Sequence, residues 1–504
     1  MNGWRRRSLL LAPLAGWLPP LQAAAVPAAR VALVIGNAAY AGAPLPNAAN
    51  DARAMSTALS AMGFQVVEAR DAGKLQMEQA LARTQALLRG QNGIGLLYYA
   101  GHGLQVDWHN YLVPVDAAPQ SAADVRRQTV DIQTVMDAFK SAGNRMNIVV
   151  LDACRDNPFG ASASAKGLAP LDAPPGTFFA YATAPGNVAE DGSSADGNGL
   201  YTRFLLQEMP RQDARIEDVF KRVRLQVRKA SQGRQIPWES TSLEDDFVFA
   251  TGQKIDAPSA LRRDAEFDAE KAEWDRIQDS RLAEDFYAFL QRYPSGRISE
   301  LAQFRLDQLN RPQVQAMQAI NMLPLGQDRF RVGDSWAVER TDRLAGNRVS
   351  RLRGEVTAIE GNRVLINAGK SIFNQMGGVL LNSFGAKDPA VAVAPADLQI
   401  GKRWRSAFTN TPVGGTAARN FYDHRVVALE EVVVPAGRYQ AFRIESSGES
   451  ISPSSAQKLH NMHWVDPATM TLLRQDVRHL SYDGTKRSTD FSDVLLWRKQ
   501  VPRS

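Results

Sequence analysis

The sequence predicts a multidomain chain: an N-terminal α/β unit with a mainly parallel sheet flanked by helices, a short α-helical pair, and a C-terminal all-β domain. Three observations predict it. Up to about residue 250, short continuous apolar runs alternate with amphipathic stretches, the pattern of strands buried on both faces between helices. From 257 to 310, apolar residues recur at helical spacing on both sides of a YPSG turn. From about Phe330 onward, short β-type segments follow one another between turn residues, as in sandwiches or barrels. A length of 504 residues suits about three units at roughly 150 residues each.

Taken in order, RVALVIG reads as a buried strand, and NDARAMSTALSAMG as a helix with Ala54, Leu59 and Met62 near helical spacing. FQVVEARD is a second strand, and KLQMEQALARTQALLRG a helix stopped by Gly90. IGLLYYA is a third strand, DIQTVMDAFKSAG a helix, NIVVLDA a fourth strand and GTFFAYATA a fifth. LYTRFLLQEM and IEDVFKRVRLQVRKA are helical, and DFVFA closes on a short strand. In the second unit, Leu282, Phe286, Phe289, Leu290 and Tyr293 share one helical face, and Ile298, Leu301, Ala302, Leu306 and Leu309 another. This pair resembles a single tetratricopeptide-like unit, which buries too little alone and must pack on a neighbour. NRPQVQAMQAINMLPLGQ reads as a linker, and VVVPAGRYQAFRIE as a hairpin of the β domain. The boundaries are a signal peptide at 1–25, the α/β domain at 26–252, the helical hairpin at 257–310, the linker at 311–328 and the β-rich domain at 329–504.

Hydrophobic residues make up 44% and charged residues 22%, so each part can bury a core and disorder is not expected. The net charge of +6 is modest, and no Lys/Arg run is interleaved with aromatics, so nucleic-acid binding has no footprint. Arg5, Arg6 and Arg7 precede SLLLAPLAGWLPPL, and LQAAA supplies small residues for cleavage, which reads as an export signal. Arg6-Arg7-Ser8-Leu9-Leu10 resembles a twin-arginine signal; an ordinary secretory signal fits equally. That stretch is too short and Pro-interrupted to span a bilayer, and no later one looks transmembrane. An exported, periplasmic protein is expected. His460 and His463 form an H-x-x-H, but on a strand this spacing sends them to opposite faces, so no metal site is assigned.

Cys154 is the only cysteine. Exported proteins tend to pair their cysteines, and a single one cannot, so it is either a small core residue or a thiol kept for its chemistry. It follows the apolar run VVLDA, at a strand end. His102, in AGHG, follows another such run, on a turn between two glycines. Ligands of parallel sheets collect at these carboxyl ends. His102 precedes Cys154 by about 50 residues, the separation seen in caspases, and Asp152-Ala153-Cys154-Arg155-Asp156 shares the Ala-Cys-Arg core of their signature while both flanks depart.

VALVIGNAAY, LPNAANDA, YYAGHG, NYLVPVD, LDACRDNPF and FAYATAPG occur together and in order. In these pieces residues from about 30 to 250 resemble the caspase-like cysteine peptidases and are most similar to bacterial metacaspases (orthocaspases). The helical pair and the β domain lie outside the resemblance. It implies a His/Cys dyad with Cys154 as nucleophile and His102 as acid/base, a need that physical chemistry supports because a free thiol has a pKa of about 8.5. It places the oxyanion hole at the backbone amides of Gly103 and Cys154. Caspases use glutamine and arginines to hold a substrate aspartate; here Asp152 replaces the glutamine. In metacaspases such an aspartate and another in an Asn-Asp-Ala turn line an acidic pocket, and this chain has both, Asp152 and Asp51. Two carboxylates would attract a guanidinium or ammonium and repel aspartate, so cleavage after Arg or Lys is expected. Taken singly, Asp51 is equally a helix N-terminal acid and Asp152 a polar residue satisfied by turn backbone. Asp156 and Ala100 also depart from the family pattern. Lys166 in SASAKGLAPLD marks a candidate self-cleavage site, against the plainer reading of an exposed loop. No cofactor is required by this chemistry. Calcium activation, common among metacaspases, is left open, with Asp191 and Asp196 as candidates whose spacing is not that of an EF-hand. The partners expected are peptide or protein substrates with Arg or Lys at the cleavage site, together with proteins docking on the helical pair and β domain. The rival is a catalytically silent scaffold of the cell envelope, or an enzyme silent until calcium or a partner arrives.

Overall fold

The structure is a computed structural model and describes residues 29–107, 109–154, 168–169, 171, 173–183, 197–212, 214–243, 245–250, 260–310, 330–391, 394–395 and 398–501. The signal segment 1–25, the linker 311–328, Lys166, Asp156, Asp191 and Asp196 lie outside the described residues.

The strands of the first unit are β1 (Arg30–Gly36), β2 (Gln65–Arg70), β3 (Ile94–Val106), β4 (His109–Leu112), β5 (Val130–Asp131), β6 (Met146–Cys154), β7 (Thr177–Tyr181) and β8 (Trp238–Thr241). The main path runs β2-β1-β3-β6-β7-β8, parallel except for β8, and β4 and β5 extend from β3. Successive side chains of a strand point to opposite faces, so these continuous apolar runs build two cores. Ala32 and Val34 of β1 pack on one side with α1 (Ala48–Ala61), α5 (Leu200–Glu208) and α6 (Ile216–Ala230). Val31, Leu33 and Ile35 pack on the other with α2 (Lys74–Leu88) and α4 (Ile132–Ala142). A short α3 (Ala122–Gln128) precedes β5, its Ser121 cap accepting from Asp124 N. The buried stripe of α1 is Ala48, Ala52, Met55 and Leu59, with Ala54 at its margin.

One expectation fails here, and one strand goes unannounced by the sequence. DFVFA is no strand: Val248 makes only an isolated bridge to Arg215. The last strand is β8, whose four polar-rich residues Trp238–Thr241 carry no alternating apolar signal, yet all are buried. Their outer edge is covered by the segment around Gln399 and Gly401: Gln399 Nε2 donates to Glu239 O at 2.6 Å, and a side chain on Gly401 would stand 2.5 Å from Thr241 O. A covered edge cannot template further strand pairing.

The middle unit holds three helices, α7 (Ala260–Ile277), α8 (Ala283–Arg292) and α9 (Ser299–Leu309). The expected pair is α8 and α9, joined through Phe286, Phe289, Leu290, Ile298, Leu301, Ala302 and Leu306. Leu282 is the exception: it stands at the α8 N-cap in extended backbone, 65% exposed. The missed α7 is charged around most of its surface and buries only Phe267, Trp274 and Glu270 deeply, which hides its periodicity. The unit packs on both neighbours. Arg228 of α6 pairs with Asp307 of α9, the two side chains 5% and 11% exposed. Phe267 meets Phe421 edge-on at 5.8 Å, and Arg263 bonds Glu449 at 2.9 Å. We expect Arg228→Ala to cost about 3–5 kcal/mol in denaturant unfolding, because it leaves a buried carboxylate without its cation, whereas replacing both partners by Met and Leu costs far less.

Twelve antiparallel strands close the C-terminal barrel, in the order β10 to β20 and then β9. They are β9 (Ser335–Asp342), β10 (Arg348–Glu360), β11 (Arg363–Ile366), β12 (Ser371–Asn374), β13 (Val379–Asn382), β14 (Gly385–Val391), β15 (Arg403–Thr411), β16 (Ala418–Val434), β17 (Gly437–Ser452), β18 (Ser455–Asp466), β19 (Thr471–Ser481) and β20 (Arg487–Lys499). VVVPAGRYQAFRIE is the β16–β17 hairpin, with Val434 paired to Gly437. On β18, His463 is buried and His460 exposed, on opposite faces as their spacing dictates.

Along β16, Asn420, Tyr422, His424 and Val426 are buried while Asp423 is exposed and Arg425 half-buried. His424 bonds Ser406 Oγ and Ser446 Oγ, each at 2.7 Å, and stacks on Trp404. Burial holds His424 down to about 3, with the nearby His463 and Arg297 acting in the same sense, and burial holds His463 down to about 4. Both rings are therefore neutral in the fold, while the unfolded chain takes up their protons near pH 6.5. Their contribution is complete above about pH 6.5 and is lost progressively as pH falls from there toward the folded values. Between pH 6.5 and 4.5 the loss is roughly 3–5 kcal/mol for the two. In urea titrations at pH 7 and 4.5, the His424→Gln/His463→Gln double variant should show that much less acid sensitivity than the wild type.

Candidate active site

The parallel register of β3 on β6 ends with His102 opposite Cys154. Adjacent strands lie about 4.8 Å apart, so these two positions, distant along the chain, become backbone neighbours. His102 is not on a turn. β3 runs through AGHG without a break and continues into a hairpin with β4, where Gly103 pairs with Leu112. The glycines serve close approach instead. A Cβ at Gly101 would stand 2.6 Å from Tyr99 Oη and 2.8 Å from Tyr40 Oη, and one at Gly103 would stand 2.9 Å from Leu168 Cδ2.

Three elements fix the His102 residue. Its backbone N–H donates to Tyr40 Oη at 3.1 Å, and its carbonyl accepts from Val113 N at 3.1 Å and Tyr99 Oη at 2.6 Å. Its ring lies 4.4 Å from the Tyr40 ring and is 4% exposed as a residue. Nε2 lies 2.7 Å from the Ala43 carbonyl oxygen. A carbonyl only accepts, so Nε2 carries the proton and, in the neutral ring, Nδ1 holds the lone pair. Amide direction alternates along a strand, and the His102 carbonyl bonds toward β4, so the Gly103 amide turns to the β6 edge.

Asp152, two residues before the end of β6, and Asp51, on α1, flank one glycine. A Cβ on Gly199 would stand 3.1 Å from Asp51 Oδ2 and 3.8 Å from Asp152 Oδ2. Asp51 is in the first helical turn and not in a loop, and it also accepts from Gly199 N at 2.9 Å. Among the described residues, Thr202 Oγ1 donates to Asp152 Oδ2 at 2.6 Å, and the single Tyr98 hydroxyl proton is shared between Thr202 Oγ1 at 2.5 Å and Asp152 Oδ2 at 3.4 Å. Burial, and after it the charges of Asp152 and Asp51, push the Tyr98 phenol well above its ordinary value of 10.0. Tyr98 therefore stays a neutral donor. The two carboxylates thus make the surroundings of Gly199 negative, with Asp152 on the same strand as Cys154 and two residues before it.

Ala43, Tyr40, Tyr98, Gly199 and Thr202 were not singled out by sequence. Tyr98 and Tyr99 read as members of an apolar strand and Thr202 as one position of a helix; only the topology shows where their hydroxyls go. The Ala43 contribution is a backbone carbonyl and has no side-chain signature. Among the described residues, no group of three or more His, Cys, Asp and Glu is arranged to hold a metal, and no helix is long and apolar enough to cross a membrane.

The first part of the chain is similar to a caspase-like cysteine-peptidase domain. Residues 29–248 match the family model for the caspase domain, Peptidase_C14. The chain is 30% identical over 179 residues to the human mucosa-associated lymphoid tissue lymphoma translocation protein 1 and to its mouse homolog, a match covering 35% of this chain and 21% of each relative. Among solved structures it is similar to the Drosophila initiator caspase Dronc, at 15% identity and a TM-score of 0.32, covering 44% of this chain and 83% of that one.

Proposed function

We propose that this protein is a cysteine endopeptidase of the metacaspase (orthocaspase) kind, cleaving after Arg or Lys through His102 and Cys154. The observation that carries the proposal is the His102–Cys154 register at the end of β3 and β6, with Asp51 and Asp152 converging on Gly199 beside it. In the reaction, the Cys154 thiol passes its proton to His102 Nδ1, and the sulfur attacks the scissile carbonyl carbon. The imidazolium, oriented by the Ala43 carbonyl, then protonates the departing amine as the C–N bond breaks, leaving an acyl-enzyme. Water, deprotonated by the same ring, releases the acid and restores the thiol. The amides of Gly103 and Cys154 are the oxyanion donors of the proposal. Cys154 stands on the last rung of the β3/β6 ladder and Gly103 one residue beyond it on β3, with its amide turned to the β6 edge.

No cofactor enters these steps. Calcium activation and export to the periplasm by the 1–25 segment are part of the proposal and rest on the resemblance and on the basic-then-apolar start of the chain.

The test is hydrolysis of Arg-, Lys- and Asp-ending peptide reporters, with and without calcium. Arg and Lys reporters should exceed Asp by at least about 10²-fold in kcat/KM, the scale of a reversed buried charge contact. Faster cleavage after Asp would end the acidic-pocket proposal. Cleavage of none, with or without calcium, would favour the silent scaffold.

A further inference from the structure

A cavity of about 340 Å³ lies in the C-terminal barrel, walled by Phe330, Trp336, Phe373, Leu472, Leu473 and Leu495 among others. Those residues come from β9, β12, β19 and β20 and from the chain leading into β9. In the closed ring, β12 and β19 are separated by several strands in either direction, so they share a cavity only through the lumen. About eight strands suffice for side chains to fill a barrel, and this ring has twelve. Sites that hold one small molecule span roughly 300–1,000 Å³, with apolar and aromatic walls and few polar groups. The aromatic part is ordered: Phe373 lies 6.3 Å from Phe330 and 6.5 Å from Trp336.

The polar groups on the wall indicate the sign of the ligand. Asp493 is held by Arg340 in two bonds of 2.7 and 2.8 Å and by Gln475 Nε2 at 2.6 Å. Asp334 accepts the amides of Arg331 and Val501 at 3.0 and 2.8 Å. Both carboxylates in the wall are thus committed to internal donors. Arg474 lies on the wall with its guanidinium stacked over Trp464 at 4.6 Å, and it shares Asp476 with Arg343. A second guanidinium, Arg498, also lines the cavity. We infer that the barrel lumen binds a single-chain anionic amphiphile, its apolar tail between Trp336, Phe373, Leu473 and Leu495 and its anionic end at Arg474. This role is independent of the peptidase reaction.

The test is calorimetric titration of the full-length protein with dodecanoate, dodecanol and dodecyltrimethylammonium, each kept below the concentration at which it self-associates. Dodecanoate should bind saturably at one per chain, and the trimethylammonium should be weaker by at least about tenfold because its charge meets the arginines. Ser371→Phe and Thr471→Phe, at half-buried wall positions, should each weaken dodecanoate by about tenfold or more by filling the lumen, with unfolding midpoints near that of the wild type. Arg474→Gln should remove the advantage of dodecanoate over dodecanol. Absence of saturable binding, or binding that both Phe variants leave unchanged, overturns the site. Equal affinity for the anion and the cation overturns the anionic end.

Discussion

If the proposed dyad operates, Cys154→Ala is expected to lower kcat/KM for an Arg-ending reporter by at least about 10³-fold, His102→Ala by a comparable factor, and the double variant by no more than either alone. The reason is that the two groups carry out one step. Without the sulfur no acyl-enzyme forms; without the ring the thiol keeps its proton and the amine has no acid. Groups that act as a unit are not additive, and this non-additivity is itself a readout that a packing role would not produce. Folding must be checked separately, because His102 is buried and Nε2 is bonded to the Ala43 carbonyl. Cys154→Ser with an intact unfolding midpoint and the same loss of rate separates chemistry from stability. Tyr40→Phe removes the bond to the His102 amide but leaves the ring against the imidazole, so it perturbs position without deleting a reacting group.

Under the proposed acidic pocket, Asp152→Arg is expected to abolish a preference for basic residues, lowering kcat/KM on the Arg reporter by about 10²-fold or more, mainly through KM. Asp152→Asn gives a smaller loss in the same direction. The argument is local. Asp152 Oδ2 accepts from Thr202 and Tyr98, and its neighbour across Gly199 is the Asp51 carboxylate. Two carboxylates on either side of one small residue attract a cation and repel an anion. Asp152→Asn retains an oxygen for the Thr202 hydroxyl and removes only the charge, which is why it isolates electrostatics from packing. Retained Arg cleavage in Asp152→Arg, at wild-type KM, would mean that this carboxylate does not face the substrate.

The α/β part was legible because its central strands β1, β3, β6 and β7 are apolar on both faces and two of its helices stop at glycine. Gly90 and Gly143 do stop α2 and α4, both in left-handed backbone at φ +75 and +78. What was not legible depended on context. Trp238–Thr241 forms a strand because β7 offers a free edge and the barrel covers the other, not because its residues favour extension. α7 is held by Phe267 against Phe421, more than a hundred residues away, and by Trp274 against Phe286 and Phe289 of the next helix, contacts that its own largely charged sequence does not announce. At the site, the residue types that carry chemistry stood out in short motifs, while the groups that orient them did not. His102 looked like a turn residue because glycines flank it; the glycines are there for the Tyr40 and Tyr99 hydroxyls and for Leu168.

The central claim is that the β3/β6 rung brings an imidazole and a thiol into one reacting unit. Cys154 is the only cysteine in 504 residues, so a thiol-directed probe reports on it alone. The measurement is the rate at which an Arg-ending acyloxymethyl ketone peptide forms a covalent adduct, followed by intact mass on wild type and His102→Ala. One adduct per chain, formed at least about tenfold more slowly without the imidazole, is the predicted result. Equal labelling rates in the two proteins, or no adduct on the wild type under conditions where Arg reporters are cleaved, would contradict it.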